Sequence, residues 1–141
     1  MEAVVIYESL TGNTAKAGHA IAADLTAQGL PTTAFPITNI DYQLLARADL
    51  VIVGSWVDGL LLVGQRPGRL GRIKQMPTLA GKRAIVFLTY AIDPGRSLTK
   101  MSDAVSGLGA EVLGGQIIRR DKLTEGIADF VERVLGVAQS A

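Results

Sequence analysis

Ala3-Val4-Val5-Ile6-Tyr7-Glu8-Ser9-Leu10-Thr11-Gly12-Asn13-Thr14 is the stretch on which the reading of this chain turns. Its first five residues are apolar at successive rather than alternate positions, and three of them are β-branched. Strands buried on both faces read this way, and such strands belong to parallel sheets covered by helices. Of the next seven residues, Ser9, Thr11 and Thr14 are hydroxylated, Gly12 is glycine and Asn13 an amide, and an amphipathic stretch follows at once. A buried strand running through a short polar loop into a helix is the opening unit of an α/β domain.

The same alternation continues to the end of the chain. Leu50–Val53 and Ala84–Leu88 are further buried-strand runs; Thr32–Pro36, flanked by prolines, reads as an edge strand, and Val112–Ile118 as a strand that bulges at Gly114-Gly115. Between them, Asn13–Gln28 places Gly18, Ile21, Ala22 and Leu25 at helical spacing before Gly29. Asp41 is placed to cap a short helix through Leu44 and Leu45, and a brief helix fits Leu70–Gln75 between Pro67 and Pro77. Ser97 is read as the cap of a helix carrying Leu98, Met101, Val105 and Leu108, and Asp121 as the cap of a last helix carrying Leu123, Ile127, Phe130, Val131, Val134 and Leu135. Five strands alternating with about five helices predict a doubly wound α/β fold, one domain over residues 1–141, with a parallel sheet and helices on both faces.

Composition removes many functions. The chain has 141 residues and no cysteine, which excludes disulfides, thiol redox chemistry, iron–sulfur clusters and cysteine-zinc sites; one histidine excludes paired-histidine catalysis, and no metal site is predicted. Fourteen Lys+Arg against thirteen Asp+Glu, with no basic stripe, argue against nucleic acid as a partner. No apolar run reaches the roughly 18–20 residues of a membrane span, and the N-terminus enters a strand directly with no basic region or cleavage site. The expectation is a cytoplasmic protein without a membrane partner.

In open α/β sheets, ligands bind beyond the carboxyl ends of the strands where the strand order reverses. The segments after Tyr7, Val53 and Leu88 are therefore the ones to inspect. In the first, Ser9 to Thr14, backbone amides collect at a helix N-terminus, where they and the helix dipole favour an anion. Ser9, Thr11 and Thr14 add hydroxyls, Asn13 an amide, and Gly12 the turn. Neither G-x-x-x-x-G-K-[ST] nor G-x-G-x-x-G is present, so a single terminal phosphate suits this loop better than a triphosphate or a dinucleotide. An ordinary strand–turn–helix with hydroxyl caps is the plainer alternative.

Ser9-Leu10-Thr11-Gly12-Asn13-Thr14 resembles the [ST]-x-T-G-N-T phosphate loop of flavodoxins at every position, and the strand spacing resembles a short-chain flavodoxin over essentially the whole sequence. The resemblance implies the strand order 2-1-3-4-5 and FMN as cofactor. Ser55-Trp56-Val57-Asp58-Gly59 looks like the first flavin-ring loop, with Trp56 covering the isoalloxazine, and Thr89-Tyr90 like the start of the second, with Tyr90 as the candidate for the opposite face. Trp56 as a core or interface residue and Tyr90 as a half-buried ring at a strand end are the alternatives. Leu60–Val63 suits either cover for the ring edge or a contact between copies of the chain. Asp58, Asp93 and Arg96 are placed to set charge near the ring, or are simply solvated. Glu8 would repel a phosphate unless it points away, and His19 reads as a surface or packing histidine rather than a catalyst.

The function implied is an FMN-binding redox protein passing electrons between a reductase and an acceptor protein, as a monomer or weak homodimer. It needs no catalytic acid, base or nucleophile, because the cofactor carries the chemistry. An FMN-dependent NAD(P)H:quinone oxidoreductase and a cofactor-free interaction or signalling domain are the competing functions. Two features depart from the family: a near-neutral charge where electron-shuttling flavodoxins are strongly acidic, and Val57 where Gly or Asn is common. A β-branched residue resists the positive φ that the family's peptide adopts when the flavin is reduced, so the resemblance implies weak support for the half-reduced cofactor.

Overall fold

The computed structural model describes residues 1–60 and 63–139, with the side chains of residues 59, 60, 63 and 64 left aside. β1 (Ala3–Tyr7) is buried at every position and lies between β2 (Thr32–Pro36) and β3 (Leu50–Leu60), parallel to both. β3 in turn pairs in parallel with β5 (Arg83–Tyr90), and β5 with β6 (Glu111–Arg119). The parallel order is β2-β1-β3-β5-β6, which is the expected five-strand order once an inserted strand is counted.

Side chains leave the two faces of this sheet alternately, and each set meets its own helices. Val4, Ile6, Val51, Val53, Val86 and Leu88 pack with Leu45 of α2 (Tyr42–Arg47), Ile73 of α3 (Leu70–Lys74) and Met101 and Val105 of α4 (Ser97–Gly107). Val5, Leu50, Ile52, Ile85 and Phe87 pack with Ile21 and Leu25 of α1 (Asn13–Ala27) and Phe130, Val131 and Val134 of α5 (Leu123–Gln139). Full burial of each such side chain contributes about 1.5–3 kcal/mol, so the successive apolar runs hold both layers. No described helix is long and apolar enough to cross a membrane.

The main departure from the sequence reading is at the third strand. β3 does not end at Val53; it continues through Ser55–Gly59, which the sequence presents as a loop. Pairing with β1 stops at Gly54 and with β5 at Trp56, and beyond that β4 (Val63–Pro67) folds back antiparallel, setting Val57 opposite Pro67 and Asp58 opposite Arg66. A two-stranded arm thus projects past the carboxyl edge of the sheet. β6 does bulge, but just ahead of the expected Gly114-Gly115: Leu113 is the extra residue between the pairs Ala84–Val112 and Ile85–Gly114, and both glycines are paired.

Two caps differ from expectation and one does not. Asp41 Oδ1 accepts from the Leu44 amide at 3.0 Å and caps α2. Asp121 instead sits in a single 3-10 turn, Arg120–Lys122, ahead of α5, and its carboxylate binds Arg119. Ser97 lies inside the first turn of α4, where its amide donates to the Pro94 carbonyl and its fully buried hydroxyl has no partner among the described residues. Because an unpaired buried hydroxyl costs free energy and alanine is the better helix former, Ser97→Ala should raise stability by up to about 1 kcal/mol. A urea unfolding midpoint that falls in this variant would mean the hydroxyl is paired after all.

Candidate functional site

The turn after β1 is held by its own side chains. Ser9 Oγ accepts from the amides of Gly12 (3.2 Å) and Ala15 (3.3 Å), so it ties the loop to the first turn of α1 and keeps only its proton to donate. Gly12 precedes the helix at φ +97, a left-handed backbone that favours glycine. Helical bonding begins with Lys16 donating to the Gly12 carbonyl, so the amides of Asn13 and Thr14 have no acceptor within the helix. Asn13 Nδ2 lies 3.4 Å from Thr11 Oγ1, and the buried Thr14 hydroxyl bonds that of Thr89 on β5 at 2.9 Å. Thr14 therefore anchors the loop to the sheet, and Thr11 is the hydroxyl left at the surface.

The three segments expected from the sequence meet at one cleft of about 100 Å³. Leu10, Thr11, Asn13 and Thr14 enter it from the loop after β1, Trp56 and Val57 from β3, and Thr89, Tyr90 and Ala91 from the end of β5. Arg120, just past β6, completes the wall; nothing in the local sequence distinguishes it from the neighbouring Arg119. Ser9 and Gly12 shape the loop without lining the cleft. Ser55 is buried, and its hydroxyl donates to the Gly68 carbonyl at 2.7 Å. Asp58 points along the arm to Arg66 at 3.8 Å, and Asp93 Oδ1 accepts from the Gly95 amide. Gly59 continues the arm, and Arg96 precedes α4 without lining the cleft. Leu61, Leu62 and the side chains of Leu60 and Val63, expected to cover a ring edge or another copy, lie outside the described residues.

Residues 4–108 match the family model described as Flavodoxin domain. The chain belongs to this family. It is 22% identical to the flavodoxin of Clostridium beijerinckii over 129 residues, covering 91% of this chain and 93% of that protein. Among solved structures it resembles the Streptococcus pneumoniae TIGR4 flavodoxin, with a TM-score of 0.71, 20% identity, 96% of this chain and 99% of that one. Oxidised flavodoxin 2 from Bacillus cereus gives a TM-score of 0.68 and 21% identity, over 94% and 99% of the two chains. Flavodoxin-family proteins bind FMN.

Within this flavodoxin domain, Trp56 is positioned by contacts its own segment does not announce. Its indole lies against Gly68, where a Cβ would overlap the six-membered ring, and its carbonyl accepts from the Gly68 amide at 2.6 Å. The Arg69 guanidinium lies 5.5 Å from the indole centroid, within cation–π range. Arg69 Nη1 also reaches Glu8 Oε1 at 2.8 Å, and Arg72 Nη1 reaches the same oxygen at 3.3 Å. Glu8, almost wholly buried, is thereby turned away from the phosphate loop and matched by two cations. The repulsion its sequence position suggests is removed. Val57 lies in extended strand opposite Pro67; Arg69 is the one non-glycine residue at positive φ among the described residues.

Tyr7 and His19 form a second pair, Oη to Nε2 at 2.9 Å with the rings edge to face. Burial pushes the Tyr7 phenol above its ordinary value, which keeps it protonated as a hydrogen-bonding partner. His19, exposed on α1, sets its ring edge to face against Tyr7 and does not line the cleft.

Proposed function

We propose that this flavodoxin domain binds FMN and carries electrons between protein partners. The observation that carries the reading is the convergence of Thr11, Asn13 and Thr14 with Trp56, Val57 and Tyr90 on one cleft at the carboxyl ends of β1, β3 and β5. FMN supplies the redox chemistry when bound. The free amides of Asn13 and Thr14 and the Thr11 hydroxyl hold the phosphate, while Trp56, Val57 and Tyr90 give apolar cover to the flat tricycle. Ser9, Gly12 and Thr14 keep the loop in the shape that presents those donors.

Pockets that enclose a drug-sized ligand run to roughly 300–1,000 Å³, so a cleft of about 100 Å³ does not enclose a whole tricycle. Leu10 and Ile92, both exposed apolar residues near the site, suit contact with a protein partner. A net charge of +1 provides little long-range steering, so association with that partner should depend only weakly on ionic strength.

One titration tests the cofactor. Trp56 is the only tryptophan in the chain, so its fluorescence reports on the cleft alone. Adding FMN should quench it saturably, with riboflavin weaker and FAD excluded by its second nucleotide. Absence of quenching, together with colourless purified protein, would refute FMN binding. Rapid NADPH-to-quinone turnover by the FMN-loaded protein would replace the carrier with an oxidoreductase.

A further inference from the structure

The loop from Ser9 to Thr14 offers a phosphate only neutral donors, and a phosphate monoester carries about −1.5 to −2 charges at neutral pH. Arg66 in the arm pairs with Asp58, and the next two cations along the chain, Arg69 and Arg72, are turned to Glu8. Arg120 is placed differently. Tyr90 and Arg119 are register partners at the ends of β5 and β6, so the turn that starts at Arg120 stands beside the third wall of the cleft. Arg119 is held by Asp121, with Nε and Nη2 each 3.1 Å from a carboxylate oxygen. Arg120, in contrast, makes no hydrogen bond or ion pair among the described residues, and it lines the cleft together with Thr11, Asn13 and Thr14.

We infer that Arg120 is an anion-binding residue of this site, reaching across the cleft to the phosphate that the loop amides hold. The inference rests on the FMN reading above. It adds a charge to what would otherwise be recognition by neutral groups, and so makes the site more selective for phosphorylated over dephosphorylated flavin. A guanidinium suits the task, because it stays charged and presents paired donors to phosphate oxygens. Its exposure to solvent makes the contribution modest and sensitive to salt.

The test compares FMN and riboflavin by Trp56 fluorescence titration in the wild-type chain, Arg120→Gln and Arg120→Lys, at low and high salt. Arg120→Gln should bind FMN about five- to tenfold more weakly at low salt and riboflavin unchanged. Its FMN affinity should depend less on salt than that of the wild type, and Arg120→Lys should recover part of the loss. An unchanged urea midpoint would confirm that the exposed substitution leaves the fold intact. FMN affinity within twofold of wild type would overturn the inference while leaving FMN binding standing. Parallel weakening of riboflavin would overturn it too, since Arg120 would then act on the ring or on the shape of the cleft. A wild-type chain that binds neither flavin would remove the cofactor reading and this inference together.

Discussion

Thr11→Glu should weaken FMN binding by about a hundredfold or more while leaving the fold untouched. Thr11 lines the cleft, is exposed, and takes part in one long side-chain contact, from Asn13 Nδ2 at 3.4 Å. Glutamate at this position removes a hydroxyl donor, a loss of about 0.5–1.5 kcal/mol, and sets a carboxylate beside the phosphate. Two like unit charges about 4 Å apart repel by roughly 1 kcal/mol in bulk water and about 4 kcal/mol at a protein surface, and a phosphate carries nearly two charges. The lower bounds sum to about 2–2.5 kcal/mol, roughly thirty- to seventyfold, and the surface value of the repulsion carries the loss past a hundredfold. Riboflavin has no phosphate and should lose far less, and thermal unfolding should shift within the range of ordinary surface substitutions. Thr11→Gln separates the terms, because it removes the hydroxyl without adding charge. Wild-type FMN affinity in Thr11→Glu would dissolve the assignment of the phosphate loop.

Phe87→Ala should cost about 3–5 kcal/mol, a large part of the 5–15 kcal/mol that typically holds a domain together. The Phe87 ring is fully buried, packs against Phe130 at a centroid separation of 5.5 Å, and occupies the space over Gly54 so closely that a Cβ there would overlap it. Gly54→Ala alone overfills this space and should cost about 1–3 kcal/mol. The combined variant should lose less than the sum, because the added methyl enters volume that the ring has vacated. Guanidinium unfolding of the two single variants and the double variant measures the coupling. Additivity within about 0.5 kcal/mol would mean that residues 54 and 87 do not compete for the same space. Gly54 is also where β3 leaves β1, two residues before Trp56, so Gly54→Ala is expected to displace the indole and alter its emission.

The sequence discloses the parallel core because burial on two faces forces consecutive apolar residues, as in Ala3–Tyr7 and Ala84–Leu88. The phosphate loop is legible for a related reason: donors and a glycine must occur together at one helix start. The extension of β3 is not legible, because Asp58 and Gly59 carry turn chemistry and the strand is completed only by pairing with Val63–Pro67. Glu8 misleads in sequence because proximity along the chain says nothing about direction; Arg69 and Arg72, sixty residues on, decide where it points. Ser97 and Asp121 are good capping types that miss the cap position, Ser97 as the first residue of α4 and Asp121 two residues before α5, and local preference does not fix such boundaries. Arg120 is hidden beside Arg119, since only the register of β6 on β5 places one of two adjacent arginines at the cleft.

The arm formed by the distal part of β3 and by β4 has a consequence for how the molecule moves. From Val57 onward its ladder is flanked by neither β1 nor β5, so its amide protons are shielded by a single neighbour. Local opening there is far less costly than rupture of the five-stranded platform beneath, and deuterium should enter the arm well before it reaches β1 or β5. The rim of the cleft can therefore open at the arm while the loop between β1 and α1 keeps its shape.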